Sequence, residues 1–162
     1  LEESKDRILE VAVRVTDLEF QGIGDFHEVV YQPAAVLEGM DEWCRTTHGA
    51  SGLTAAVASG KPIEEVEKRL LAFTAQHFTR DERIVLAGNS VGNDRRFIDR
   101  YLPEFAKRLH YRMIDVSSWK EVFREKFGIE YQKQNRHRAL GDIEETIAEL
   151  RHYLTYVKTP NL

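Results

Sequence analysis

Hydrophobic and polar positions alternate between two periods along the chain. Residues 7–17, RILEVAVRVTD, are β-branched and nearly continuous in apolar character, as expected of a strand covered on both faces. LEFQGIGD then supplies a glycine-rich turn, and residues 26–32, FHEVVYQ, read as the returning strand that Pro33 ends. From Val36 to His48 the period becomes helical, and a turn through GASG leads to a short helical stretch at LTAAVAS. Pro62 falls where a first helical position belongs, and Ile63, Val66, Leu70, Phe73 and Phe78 form one apolar stripe that reads as packing. IVLAG (84–88) is a short apolar strand, followed by NSVGNDRRFIDRYL, whose Asn and Ser can cap a helix. YRMIDVS (111–117) is the next strand and SSWKEVFREKF the next helix. The last helix carries Ala139, Leu140, Ile143, Ile147, Leu150, Leu154 and Val157 at spacings of three and four.

An initial hairpin followed by alternating strands and helices predicts an α/β fold, a mixed β-sheet with helices on its faces. The 162 residues fit a single domain, 1–162, with no internal repeat or low-complexity tract. The long polar connection is GIEYQKQN (128–135).

Composition narrows the class. A hydrophobic fraction of 42% and a charged fraction of 31%, without a long apolar run or a leader pattern, predict an intracellular, water-soluble domain with no membrane partner. The single cysteine, Cys44, has no disulfide or zinc-spaced partner in the sequence and reads as a buried or half-buried bystander in a reducing compartment. A net charge of −4 argues against a continuous basic groove for long nucleic acid, so a nucleic-acid substrate is expected to be short and held by a few placed groups.

Chemistry concentrates where strands end and helices begin, the usual location of sites in open α/β sheets. Three junctions carry polar residues: GNSVGNDRRF (88–97), HYRMIDVSS (110–118) and HRALGD (137–142). With MDEWCRTTHGASGL (40–53), they resemble the oligoribonuclease family of the DEDDh exonuclease superfamily, in the family's order and over essentially the whole chain. The resemblance implies an RNase H-like fold and metal-dependent removal of nucleotides from the 3′ ends of very short RNAs, finishing with dinucleotides. It implies two divalent cations, Mg2+ or Mn2+, with Asp94 and Asp142 as the third and fourth acidic ligands and His137 as general base. For the substrate it implies Ser90, Arg112 and Ser117 as a cap on the 5′ phosphate, Trp43 stacking on a base and Leu1 wedging between the two bases. Tyr111 is implied to reach into the partner subunit's site across a homodimer. A cytoplasmic location, or a mitochondrial one in a eukaryote, accompanies that reading.

Several of these residues also have simpler readings. Ser90 and Ser117 each read as helix caps, Trp43 as core, Tyr111 as a half-buried strand residue, and Arg95 with Arg96 as a solvated helix face. The five-residue offset from His137 to Asp142 suits a joint role if His137 sits at or before the helix start. The family's first two acids lie on an opening strand ahead of the leucine that matches Leu1, and Glu2, Glu3 and Asp6 do not fit their pattern. The expectation is a first strand missing from the displayed chain, which begins downstream of the real N-terminus. The alternatives are a related DEDDh exonuclease acting on longer RNA or DNA, and an inactive nuclease-fold binding module.

Overall fold

The computed structural model describes residues 1–132 and 139–158. Strand β1 (Glu10–Thr16) pairs antiparallel with β2 (Gly22–Val29). The reversal is tighter than the glycines suggest. Asp17 accepts the Gln21 N–H on its side chain at 2.7 Å, Phe20 takes a positive φ of 61°, and Gly22 and Gly24 are already paired with β1.

The helical stretch expected over 36–48 is two helices, α1 (Ala34–Glu38) and α2 (Glu42–Ala50). The break is local chemistry, because the Asp41 carboxylate accepts the Cys44 N–H at 2.7 Å and so starts a new helix. Helix α3 (Leu53–Val57) is followed by Gly60, where an added Cβ would lie 2.6 Å from the Tyr31 backbone nitrogen. That close approach allows Lys61 to bridge Val30 in parallel register. Helix α4 (Ile63–Thr74) follows, with Pro62 at its N-cap.

Strand β3 (Ile84–Gly88) leads into α5 (Val91–Tyr101) and a short α6 (Pro103–Ala106), which the apolar pattern did not reveal. Strand β4 (Leu109–Asp115) lies parallel to β3, and α7 (Val116–Phe127) and α8 (Ala139–Leu154) complete the described chain. Both strand orientations expected of a mixed sheet are present. Among the described residues they form two pairs, β1–β2 and β3–β4, and each strand keeps one edge without a strand neighbour.

The main core joins the pairs. Val66 and Leu70 of α4 pack with Phe26, Val30, Ile84, Leu102, Phe105 and Leu109, and Ile63, Phe73 and Phe78 flank them as the stripe predicts. Each fully buried Val or Leu here contributes about 1.5–3 kcal/mol of transfer free energy. A second cluster fixes α8, where the Tyr153 ring stacks on Phe123 of α7 at 5.0 Å between centroids.

Candidate active site

The carboxyl ends of β3 and β4 meet at a polar knot. Ser90 does not cap α5 with its side chain; it sits in the left-handed region at φ 51°, uncommon for a residue with a Cβ. Its N–H instead donates to Asp115 Oδ1 at 3.0 Å and to Ser117 Oγ at 2.9 Å, and the two serine hydroxyls lie 3.3 Å apart. Ser117 is not a cap either, because Asp115 takes that role, accepting the Ser117 N–H at 2.9 Å. Both cap readings are therefore corrected. The hydroxyls are brought together at the start of two helices, a setting suited to an anion. Asp115, which the sequence reading did not single out, organises the pair. Its signal was the D-x-S spacing before a helical pattern, a local cap signature.

Asp94 lies in the first turn of α5, one turn beyond Ser90. Crowding of its carboxyl by protein atoms, with a smaller contribution from the negative charge of Asp115, raises its pKa above the ordinary carboxylate value, although the residue keeps an exposed flank. Among the described residues no cation pairs with it. A carboxyl whose pKa is higher in the folded than in the unfolded chain favours folding below the unfolded value and loses that contribution as pH rises through the folded value. In chelator at pH 7, Asp94→Asn is therefore expected to melt at a higher temperature than the wild type, with the gap narrowing toward pH 4. Scanning calorimetry at several pH values checks this, and a lower melting temperature for the variant at pH 7 contradicts it.

Asp142 is exposed in the first turn of α8, and its carbonyl accepts from Thr146 Oγ1 at 2.8 Å. Helix α8 is pinned near it from two sides. Arg14 of β1 donates to Asp25 at 2.6 and 2.8 Å and to Glu144 at 3.0 Å, and its bonds hold the Asp25 carboxyl below the usual range. On the other side Asn89 bonds to Thr146 and to buried Glu149. Burial, then the charge of Glu149, push the Tyr153 phenol up to about 12, so it remains a donor to that carboxylate. His137 lies outside the described residues. Among the described residues no three His, Cys, Asp or Glu side chains converge to hold a metal ion.

The remaining predicted residues are on the surface. Trp43 is 66% exposed, which corrects the core reading and leaves its indole open for stacking. Leu1 is 83% exposed. Burial, then Asp41, raise the pKa of the Cys44 thiol, with a smaller contribution from the charge of Asp6. Cys44 itself is half-buried, as expected. Tyr111 is 74% exposed rather than half-buried, stacked on His110 at 4.5 Å. The Arg112 guanidinium lies over the Tyr111 ring at 5.2 Å, so its planar fork is on the surface near the knot's strand and not bonded to the serines. Arg95 is more than a solvated face: it pairs with Asp99 at 2.8 Å and donates to the His110 carbonyl at 3.2 Å.

An α/β fold with two hydroxyls beside carboxylates at its strand ends fits a phosphodiester hydrolase, and the exonuclease (RNase T) family profile matches residues 1–150. The chain is 42% identical over 158 residues to an oligoribonuclease of Aromatoleum aromaticum, covering 94% of this chain and 86% of that protein. It is 41% identical over 162 residues to an oligoribonuclease of Streptomyces avermitilis, covering 97% and 81%. A mitochondrial oligoribonuclease of Homo sapiens is 41% identical over 159 residues, covering 94% and 67%. The chain belongs to the oligoribonuclease family of exonucleases, nucleases of RNase H-like α/β fold. No helix among the described residues is long and apolar enough to cross a membrane.

Proposed function

We propose that this protein is a 3′–5′ exoribonuclease that degrades short RNAs, above all 5′-phosphorylated dinucleotides, to mononucleotides. The observation that carries this reading is the paired hydroxyls of Ser90 and Ser117, one helical turn before the Asp94 carboxyl. A cap for a terminal phosphate next to a carboxylate that gains from a cation limits how much RNA fits between them. With Arg112 turned from Tyr111 onto the phosphate, a forked guanidinium and two hydroxyls would hold it. Exposed Trp43 and Leu1 would stack on and separate the two bases.

Asp94 and Asp142 would hold Mg2+ or Mn2+, for which carboxylate oxygens are the suitable donors. Two such cations supply an activated water and neutralise charge building on the phosphate. The chain's own work is to orient the scissile phosphate between Asp94 and Asp142 and to take the water's proton on His137, whose ordinary pKa near 6.5 suits neutral pH.

A two-fold homodimer completes the reading. Exposed Tyr111, Met113 and Ile114 on β4, with Val122 and Phe127 on α7, support an interface there that sends Tyr111 into the partner's site. The mitochondrial oligoribonucleases among its relatives support a mitochondrial location in a eukaryote, with a cytoplasmic one otherwise. The intact natural protein is expected to cleave a 5′-phosphorylated dinucleotide far faster than a 20-mer in magnesium, and to run as a dimer in light scattering. A preference for the 20-mer would favour the longer-substrate exonuclease, and no cleavage of either would favour a binding module.

A further inference from the structure

One side chain joins the serine knot to α8 and has no part in the steps above. Asn89 precedes Ser90, and its Oδ1 accepts from Ser117 Oγ at 3.3 Å. Its Nδ2 donates to Thr146 Oγ1 at 2.9 Å and to Glu149 Oε2 at 3.2 Å. The amide thus turns its Nδ2 donors to α8 and its Oδ1 acceptor to the serine knot. The Thr146 hydroxyl passes its own proton to the carbonyl of Asp142 at 2.8 Å. Glu149 is 1% exposed and takes a further bond from the Tyr153 hydroxyl at 3.2 Å. A buried carboxylate is costly when a donor is lost, so this end of the chain of bonds resists displacement.

We propose that Asn89 is a positioning residue that couples the terminal-phosphate cap at Ser90 and Ser117 to helix α8, so that a dinucleotide's 5′ phosphate helps to set Asp142 in place. The inference rests on the proposed reading of the two serines as that cap. Proton counting supplies the link. Ser117 Oγ has one proton, which it can give to Asn89 Oδ1 when the Ser90 hydroxyl donates to it, while it accepts the Ser90 N–H. Phosphate oxygens only accept, so a bound phosphate draws that proton away and leaves the Asn89 amide held by its two bonds to α8. Occupancy of the cap is thereby felt at Thr146, and through its hydroxyl at the backbone of Asp142.

Reciprocity makes the coupling measurable without turnover: if the 5′ phosphate sets Asp142, it must also tighten magnesium binding. Titration calorimetry of magnesium into the intact protein, with a non-cleavable dinucleotide bearing a 5′ phosphate or a 5′ hydroxyl, reads that difference. The wild type is expected to bind magnesium about fivefold or more tightly with the 5′-phosphorylated form. Asn89→Ala and the near-isosteric Thr146→Val should each remove most of that difference, and the double variant should lose no more than Asn89→Ala alone. In kinetics, the preference for 5′-phosphorylated over 5′-hydroxyl dinucleotide should fall about tenfold through kcat, with cleavage of a heptamer changing less. Should Asn89→Ala fold poorly, Thr146→Val carries the same test. Wild-type coupling in Thr146→Val, or equal losses on every substrate that multiply in the double variant, would overturn the proposal. Arg112→Ala, run in parallel, separates the two levels: an unchanged preference for the 5′ phosphate in that variant means that the cap reading itself has failed.

Discussion

Asp94→Asn and Asp142→Asn are each expected to lower turnover of a 5′-phosphorylated dinucleotide by about 10³-fold or more, while the fold persists. A factor of that size is about 4 kcal/mol of transition-state stabilisation, within what cations at a phosphoryl oxygen supply. Asn keeps the shape of Asp and removes its charge, so on the proposed metal reading each variant weakens one cation's hold without emptying volume. Asp142 is exposed and its carbonyl, not its carboxylate, takes the bond from Thr146, so the substitution leaves that helix bond in place. Crowding of the Asp94 carboxyl and the nearby charge of Asp115 raise its pKa, so removing its charge does not cost the fold. Single-turnover cleavage in saturating magnesium, beside circular dichroism, checks both halves. Wild-type rates for Asp142→Asn under those conditions would remove its metal role.

The elements legible in the sequence were those fixed by local periodicity. The stripe Ile63, Val66, Leu70, Phe73 and Phe78 needs only a 3.6 period and a core, and both are present. IVLAG needed only its length and its flanking turn. Misread elements depended on a single hydrogen bond that periodicity does not carry. The Asp41 bond to Cys44 splits one apparent helix into two, and the Asp17 side chain closes the hairpin before its glycines. At the site, residue types were legible and their arrangement was not. Ser90 and Ser117 look like caps because Ser is a good cap; that Asp115 caps α7 in place of Ser117 and also takes the Ser90 N–H appears only when β3 and β4 lie side by side. Asn89 and Glu149 could not be found from the sequence, because the bonds that give them meaning span 57 and 60 residues.

Arg112→Ala should separate substrates by length. On the proposed reading, a dinucleotide's terminal 5′ phosphate falls at Ser90 and Ser117; in longer RNA the corresponding phosphate is an internal diester with one fewer ionisable oxygen and with flanking nucleotides that bind elsewhere. A charge-assisted contact to a terminal phosphate contributes about 1.5–3 kcal/mol, or roughly 10- to 150-fold. The structure gives Arg112 the freedom this requires, since it is exposed on β4 and its side chain rests over Tyr111 at 5.2 Å, with no carboxylate among the described residues to leave behind when it swings onto a phosphate. Leaving an aromatic face at an exposed site costs about 0.5–1 kcal/mol, less than the new contact returns. Arg112→Lys should recover only part of the loss, because an ammonium restores the charge without the planar fork. The expected result is therefore a fall in kcat/KM that is largest for the 5′-phosphorylated dinucleotide and shrinks toward a heptamer. Equal losses across the length series would mean that Arg112 acts on something other than a chain end.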